Sequence, residues 1–246
     1  MFLLDIYNEA IYRPILNLLV GLYNVFPIQD IGIVIILVTL AIRVVLAPFM
    51  HKSLKGQKAL SALQPKMNEL RERHKDNKEE QAKAMMDLYK EHKVNPFSSC
   101  LPVLIQLPIL IALYQVFSKA LKGNLEGLYS FVYNPGVLDP KFLNLVDLSH
   151  PNIVFALLAG LAQFWQSRMI TKWSGKPAGQ DMTAKALNVQ MTYVLPVVSV
   201  VIAWTLPAGL PLYWIVTTLF AVGQQYYVQK THPTTTTSII DVEVIK

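Results

Sequence analysis

The sequence predicts an all-α integral membrane protein with five transmembrane helices, an N-terminal interfacial helix and a cytoplasmic αα-hairpin. Three observations carry that prediction. The 246 residues are 53% apolar and only 15% charged, where a soluble domain carries about 25% charged residues. The apolar residues gather into runs of bilayer-spanning length. The net charge of +6 comes almost wholly from one side of those runs.

A membrane helix needs ~20 apolar residues, because the hydrocarbon is ~30 Å thick and each residue rises 1.5 Å. Five segments qualify: 30–49, 101–119, 151–168, 190–206 and 210–228. The last two are joined by Leu206-Pro-Ala-Gly-Leu-Pro211, a breaker-rich link too short for anything except a tight turn. Residues 11–26 are also apolar, but Arg13, Pro14 and Asn17 interrupt them. Ile6, Ile11, Ile15 and Leu19 mark an amphipathic helix lying in the interface; a short sixth span is the alternative. One early cation, two early acids and no small-residue cleavage site argue against a signal peptide.

The predicted organisation is therefore an interfacial helix over 1–27, a first span over 28–50 and a cytoplasmic hairpin over 51–100. Spans two to five occupy 101–228, and a flexible cytoplasmic tail occupies 229–246. In the hairpin, Leu60, Leu63, Met67 and Leu70 form one apolar stripe, and Ala82, Met85, Met86 and Tyr89 form a second. Polar residues 74–78 separate the two, so the helices face each other as an αα-hairpin. Met67, Met85 and Met86 are candidates for client or targeting contact, with filling the seam as their structural alternative.

Orientation follows the Lys/Arg bias. Residues 51–100 and 168–185 hold fifteen Lys and Arg; the opposite face holds Arg13, Lys119, Lys122 and Lys141. The N-terminus is placed outside and the C-terminus in the cytoplasm, in a multi-pass cell (plasma) membrane protein. A basic balance so distributed suits an anionic lipid surface, and no direct DNA binding is expected.

Several chemistries are excluded by what the spans lack. The Asp and Glu residues all fall outside them, with Asp30 at the entrance to the first. A coupled transporter places a carboxylate near the midplane. The five histidines are in loops or at span edges, so no intramembrane catalytic pair assembles. Cys100 is alone, so neither an internal disulfide nor a cysteine metal site forms. No P-loop is present. No enzyme activity, metal or cofactor is expected.

One charge does lie inside a span. Arg43 costs ~2.5–3.5 kcal/mol at a helix centre, and less toward an end. Snorkelling to the cytoplasmic headgroups is the plain reading. Helix geometry opposes it, because side chains lean toward the helix N-terminus and so carry Arg43 deeper. Thr39, at i−4, lies on the same face. With no carboxylate in any span, Arg43 calls for water or an anionic visitor. The spans offer Gln106, Gln163, Gln166, Thr192, Thr217, Thr218 and Gln224 as neutral neighbours.

These residues sit in an ordered set of motifs. Thr39-x-x-x-Arg43-x-x-x-x-Pro48 is followed by Leu63-Gln-Pro-Lys-Met67 and by Met85-Met-x-Leu-Tyr-Lys90. Then come Val94-Asn-Pro-Phe-Ser-Ser-Cys-Leu-Pro-Val-Leu-Ile-Gln-Leu-Pro108, Leu206-Pro-Ala-Gly-Leu-Pro-Leu-Tyr-Trp214 and Gln224-Gln225. The set resembles the YidC-type membrane protein insertase family, in the expected order, from about residue 5 to about residue 230.

The resemblance implies five helices around a hydrophilic groove that opens to the cytoplasm and to lipid. It makes Arg43 the groove cation, Thr39 its neighbour, Trp214 a groove-facing aromatic and Gln163 a further wall residue. Implied partners are nascent membrane-protein clients and the lipid bilayer, with the Sec translocon, signal recognition machinery and ribosome as further ones. The chain looks like the short core form, without an extra N-terminal span or a large extracytoplasmic domain. Its tail carries only Lys230 and Lys246 against Asp241 and Glu243, which argues against tail-based ribosome binding. A small anion-selective channel or uncoupled transporter, and a structural subunit of a larger complex, stay open as alternatives.

Overall fold

The structure, a computed structural model, describes residues 2–27, 29–99, 101–173, 186 and 189–231. Cys100, Lys176, Lys185 and the tail from residue 232 lie outside the described residues. Helix α1 (Phe2–Tyr7) passes through a π-helical turn (Asn8–Tyr12) into α2 (Arg13–Val25). Then follow α3 (Ile31–Ala62), α4 (Gln64–Arg73), α5 (Lys78–Glu91), a 3-10 turn (Pro96–Ser99) and α6 (Leu101–Ala120). After α7 (Ile153–Trp173), a π-helical turn (Gln190–Val194) runs into α8 (Leu195–Thr205), and α9 is Gly209–Thr231. Strands β1 (Lys141–Phe142) and β2 (Val146–Asp147) pair antiparallel, with Lys141 opposite Asp147.

The exterior identifies the solvent. Val44 and Phe49 on α3, Leu104 and Ile111 on α6, Leu161 on α7 and Val201 on α8 are all exposed. An aqueous bundle buries such residues; a continuous apolar exterior faces lipid. Three helices, within Ile31–Ala62, Pro96–Ala120 and Ile153–Lys172, are long and apolar enough to cross a bilayer. The fourth predicted span falls on the shorter apolar helix Gln190–Thr205. The fifth falls on α9, where Gln224, Gln225, Tyr226 and Tyr227 dilute the apolar character. The chain is thus an all-α, multi-pass membrane protein.

α3 departs from expectation. The sequence suggests a span ending near Pro48, yet the helix runs unbroken to Ala62. Pro48 removes one backbone bond, to the carbonyl of Val44, and the 3-10 turn steadies the extension beyond it. Buried Ser53 donates its hydroxyl to the Ser98 carbonyl at 2.5 Å. A Cβ on Gly56 would stand 2.5 Å from the Ser98 hydroxyl oxygen, so glycine is what admits this approach.

α4 and α5 pack through Leu63, Met67 and Leu88, with Leu70, Met85, Tyr89 and Val94 against them. Leu88 replaces Ala82 and Met86, both of which face outward. The second stripe is real but rotated on α5. Asn77 caps that helix, accepting from the amides of Glu79 and Glu80, both at 3.2 Å.

At the opposite end, residues 121–152 form a cap. α2 buries Ile15, Leu16, Leu19, Val20 and Tyr23 in the main core, and the π-helical turn before it adds Tyr12, so this apolar stripe packs on protein. Asn17 ties α2 to the cap by donating to the Gly127 carbonyl at 3.1 Å and accepting from the Tyr129 amide at 2.7 Å. Buried Asp30 caps α3 through the Ile33 amide at 3.0 Å and also accepts from the Leu143 amide. The α8–α9 turn is fastened to the cap by backbone alone: Ala208 N–H to the His150 carbonyl at 3.0 Å, and Gly209 N–H to the Leu148 carbonyl at 3.1 Å.

Candidate functional site

α3 carries Arg43 about 13 Å from the level of Lys52, counting nine residues at 1.5 Å each. That depth lies within one leaflet of a ~30 Å hydrocarbon layer. The side chain is only 6% exposed. Its Nη2 donates to Gln106 Oε1 on α6 at 2.6 Å, and its Nε donates to Thr217 Oγ1 on α9 at 3.3 Å. Gln106 in turn donates its amide N–H to the hydroxyl of buried Tyr213. One guanidinium therefore links three helices through neutral groups. Among the described residues no carboxylate pairs with it. A desolvated cation without a counter-charge is a standing attraction for an anion.

Thr39 is placed otherwise than the sequence suggests. It is buried on the Arg43 face, but its hydroxyl donates to its own helix, to the Ile35 carbonyl at 2.6 Å. A threonine hydroxyl inside a helix meets the i−4 carbonyl before any side chain one turn away.

Trp214 and Gln163 do meet. The indole Nε1 donates to Gln163 Oε1 at 3.2 Å, joining α9 to α7. This pair and the Arg43 network are separate, because adjacent residues Tyr213 and Trp214 point to different sides of α9. Further along α9, Gln225 is buried, and among the described residues its Oε1 has no hydrogen-bond partner. On α7, the Thr171 hydroxyl lies 2.9 Å from the Thr192 hydroxyl. Neutral polar groups thus recur along the inner faces of α3, α6, α7 and α9.

Below Arg43, toward the hairpin, α3 and α9 separate around an open cleft of about 770 Å³. α3 contributes Ala47, Pro48, His51, Lys52 and Lys55; α9 contributes Phe220, Gly223, Gln224 and Tyr227. Ala47, His51 and Lys55 stand at successive i+4 positions from Arg43, and Phe220 and Gln224 continue the stripe of Thr217. The cleft therefore begins about one helical turn from Arg43 and Thr217, on adjoining faces of α3 and α9. Two glycines on α9 mark a closed side and an open one. A Cβ at Gly209 would lie 3.3 Å from Ile35 and 3.5 Å from Phe117, whereas one at Gly223 would meet nothing within 4 Å.

Of the hairpin methionines, Met67 is buried, Met85 packs against the seam and only Met86 is exposed.

The family model described as 60Kd inner membrane protein matches residues 21–235. The chain belongs to this family. Its relatives include the membrane protein insertase YidC of Geotalea daltonii, 34% identical over 227 residues, 92% of this chain and 38% of that protein. The insertase YidC of Pelobacter propionicus is 33% identical over 224 residues, 90% of this chain and 39% of that protein. That of Fusobacterium nucleatum is 34% identical over 203 residues, 82% of this chain and 88% of that protein. The chain thus spans about two fifths of the length of the first two and most of the third. Arg43, Gln106, Gln163, Tyr213, Trp214, Thr217 and the whole cleft fall inside the family match. Tyr213 is the site residue that sequence reasoning passes over. Gln106 and Thr217 stand out as polar residues in apolar spans, but a tyrosine beside a tryptophan reads as core or interface.

Proposed function

We propose that this chain is a membrane protein insertase that draws the hydrophilic flank of a client into the cleft and releases the client's apolar segment to lipid. The observation that carries the proposal is Arg43: a buried cation, held among the described residues by neutral groups alone, one helical turn from a cleft between α3 and α9. The names of the relatives support the same reading. The lysine-rich hairpin end is placed in the cytoplasm, and the capped end and N-terminus outside.

The physical steps are modest. A hydrophilic flank has to cross ~30 Å of hydrocarbon, where each unsatisfied polar group costs several kcal/mol. Entry through the cleft shortens the dry path by the ~13 Å between Lys52 and Arg43. An acidic side chain arriving there displaces Gln106 and Thr217, since a carboxylate–guanidinium bond is about twice as strong as one to a neutral acceptor. Trp214 and Gln163 form the α7 side of the path. Burial of the client's apolar segment in lipid, at ~25 cal/mol per Å², drives its departure. No covalent step and no cofactor take part. Clients and lipid are the primary partners. The Sec translocon, signal recognition machinery and ribosome are further ones, with the hairpin, including exposed Met86, as their contact.

The test uses proteoliposomes and paired clients that differ only in the charge of the translocated tail. Arg43→Gln slows insertion of the acidic client roughly tenfold, the equivalent of ~1.4 kcal/mol, and leaves the neutral one nearly unchanged. Arg43→Lys retains part of the activity, because a point charge survives without the fork. Equal loss for both clients would reduce Arg43 to a structural tie. Anion flux without any client would favour a channel.

A further inference from the structure

The cleft crosses the boundary between hydrocarbon and water, and its two halves differ in character. From Ile31 to Met50 the only charged residue is Arg43, and the first lysine after that stretch is Lys52. Over the 21 steps from Ile31 to Lys52 α3 rises about 31 Å, one hydrocarbon thickness, which sets Lys52 and Lys55 at headgroup level. Ala47, Pro48 and Phe220 form an apolar floor on the hydrocarbon side of that level. Lys52 and Lys55 are exposed, and among the described residues neither has a carboxylate partner. The open space at Gly223 leaves the floor uncovered.

We propose that the mouth of this cleft is a binding site for one anionic phospholipid, its phosphate held by Lys52 and Lys55 and its acyl chain laid along Ala47, Pro48 and Phe220. Charge complementarity selects the headgroup. The apolar floor selects a lipid over free phosphate, because a soluble anion gains nothing from it. The volume falls in the range of pockets that enclose a small ligand, enough for a headgroup and the upper part of one chain. The lipid would occupy the resting mouth, and an acidic client flank would have to displace it.

The experiment needs no client, so its failure and the failure of the insertase reading are distinguishable. The intact protein carrying Phe220→Trp is placed in phosphatidylcholine vesicles containing a small fraction of brominated phosphatidylglycerol or brominated phosphatidylcholine. Quenching is measured as the difference from the parent protein. The brominated phosphatidylglycerol reaches half-quenching at a mole fraction on the order of tenfold lower, as two lysines at a surface imply. Lys52→Gln with Lys55→Gln erases that preference. Gly223→Leu erases it too by filling the floor, with both lysines in place. Lys119→Gln with Lys122→Gln, at the capped end, leaves it intact, as does added inorganic phosphate. Equal quenching by the two lipids overturns the site. So does a preference that survives loss of both lysines, or one that phosphate abolishes.

Discussion

Arg43 shows how a single residue is held and used by the same bonds. Gln106 accepts from the guanidinium with one end of its amide and donates to Tyr213 with the other. Gln106→Ala strands a buried donor on Arg43 and a buried acceptor on Tyr213, at ~1–3 kcal/mol apiece. Thermal unfolding in detergent should move down by roughly 2–4 °C per kcal/mol lost. Gln106→Glu separates stability from function. A carboxylate there accepts from Arg43 and from the Tyr213 hydroxyl, so the unfolding midpoint should rise or hold. Insertion of acidic-tailed clients should nevertheless fall, because the cation is already neutralised. A midpoint that drops with insertion intact would contradict the electrostatic role. Arg43 was legible in the sequence because one cation among apolar residues has few innocent explanations. Its partners were legible only as types: Gln106 and Thr217 lie 63 and 174 positions away, and no spacing rule selects them from the other polar residues. Thr39 misled because sharing a face says nothing of where a hydroxyl finds its nearest acceptor.

At the scale of elements, the contact between α3 and the cap is the most exacting. A Cβ on Gly32 would lie 2.1 Å from the Phe142 ring, far inside any allowed separation. Gly32→Ala should destabilise the protein by a few kcal/mol, in the manner of overpacked cores. Phe142→Ala in the same background should return much of that loss, and a double-mutant cycle in detergent measures the coupling. Additive losses would mean that the strain is absorbed elsewhere. The hairpin is the opposite case. Its helices share one small cluster around Leu63, Met67 and Leu88, so amides in 64–91 should exchange faster than those in the membrane helices. Equal protection would show that the hairpin packs on a further surface. Hydropathy located three of the five spans, since lipid imposes one strict length. It missed the end of α3, since Pro48 and the following lysines look like a terminus when the buried Ser53–Ser98 contact is invisible. The rotation of the α5 stripe escaped for a similar reason: Ala82, Met86 and Leu88 differ too little in sequence pattern to fix which of them meets α4.

For the whole molecule, the distribution of lysine and arginine predicts orientation, and reporter fusions at His74, Leu125 and Lys246 test it. His74 and Lys246 should report from the cytoplasm and Leu125 from outside; cytoplasmic labelling at Leu125 would overturn the assignment. The two ends of the bundle are also built to different tolerances. Backbone hydrogen bonds fasten the α8–α9 turn to the cap, and Gly209 brings α9 against Ile35 and Phe117. Fourteen residues further along, the Gly223 side of α9 is open, although Val222, Gln225 and Val228 beside it are buried. From Gly209 to that open side the lever arm is about 21 Å. A tilt of α9 of about 5° at Gly209 would carry Gly223 about 2 Å sideways over that arm, about the width of a methyl group. Such a tilt would widen or narrow the mouth while the Ala208 and Gly209 amides stayed bonded to the cap.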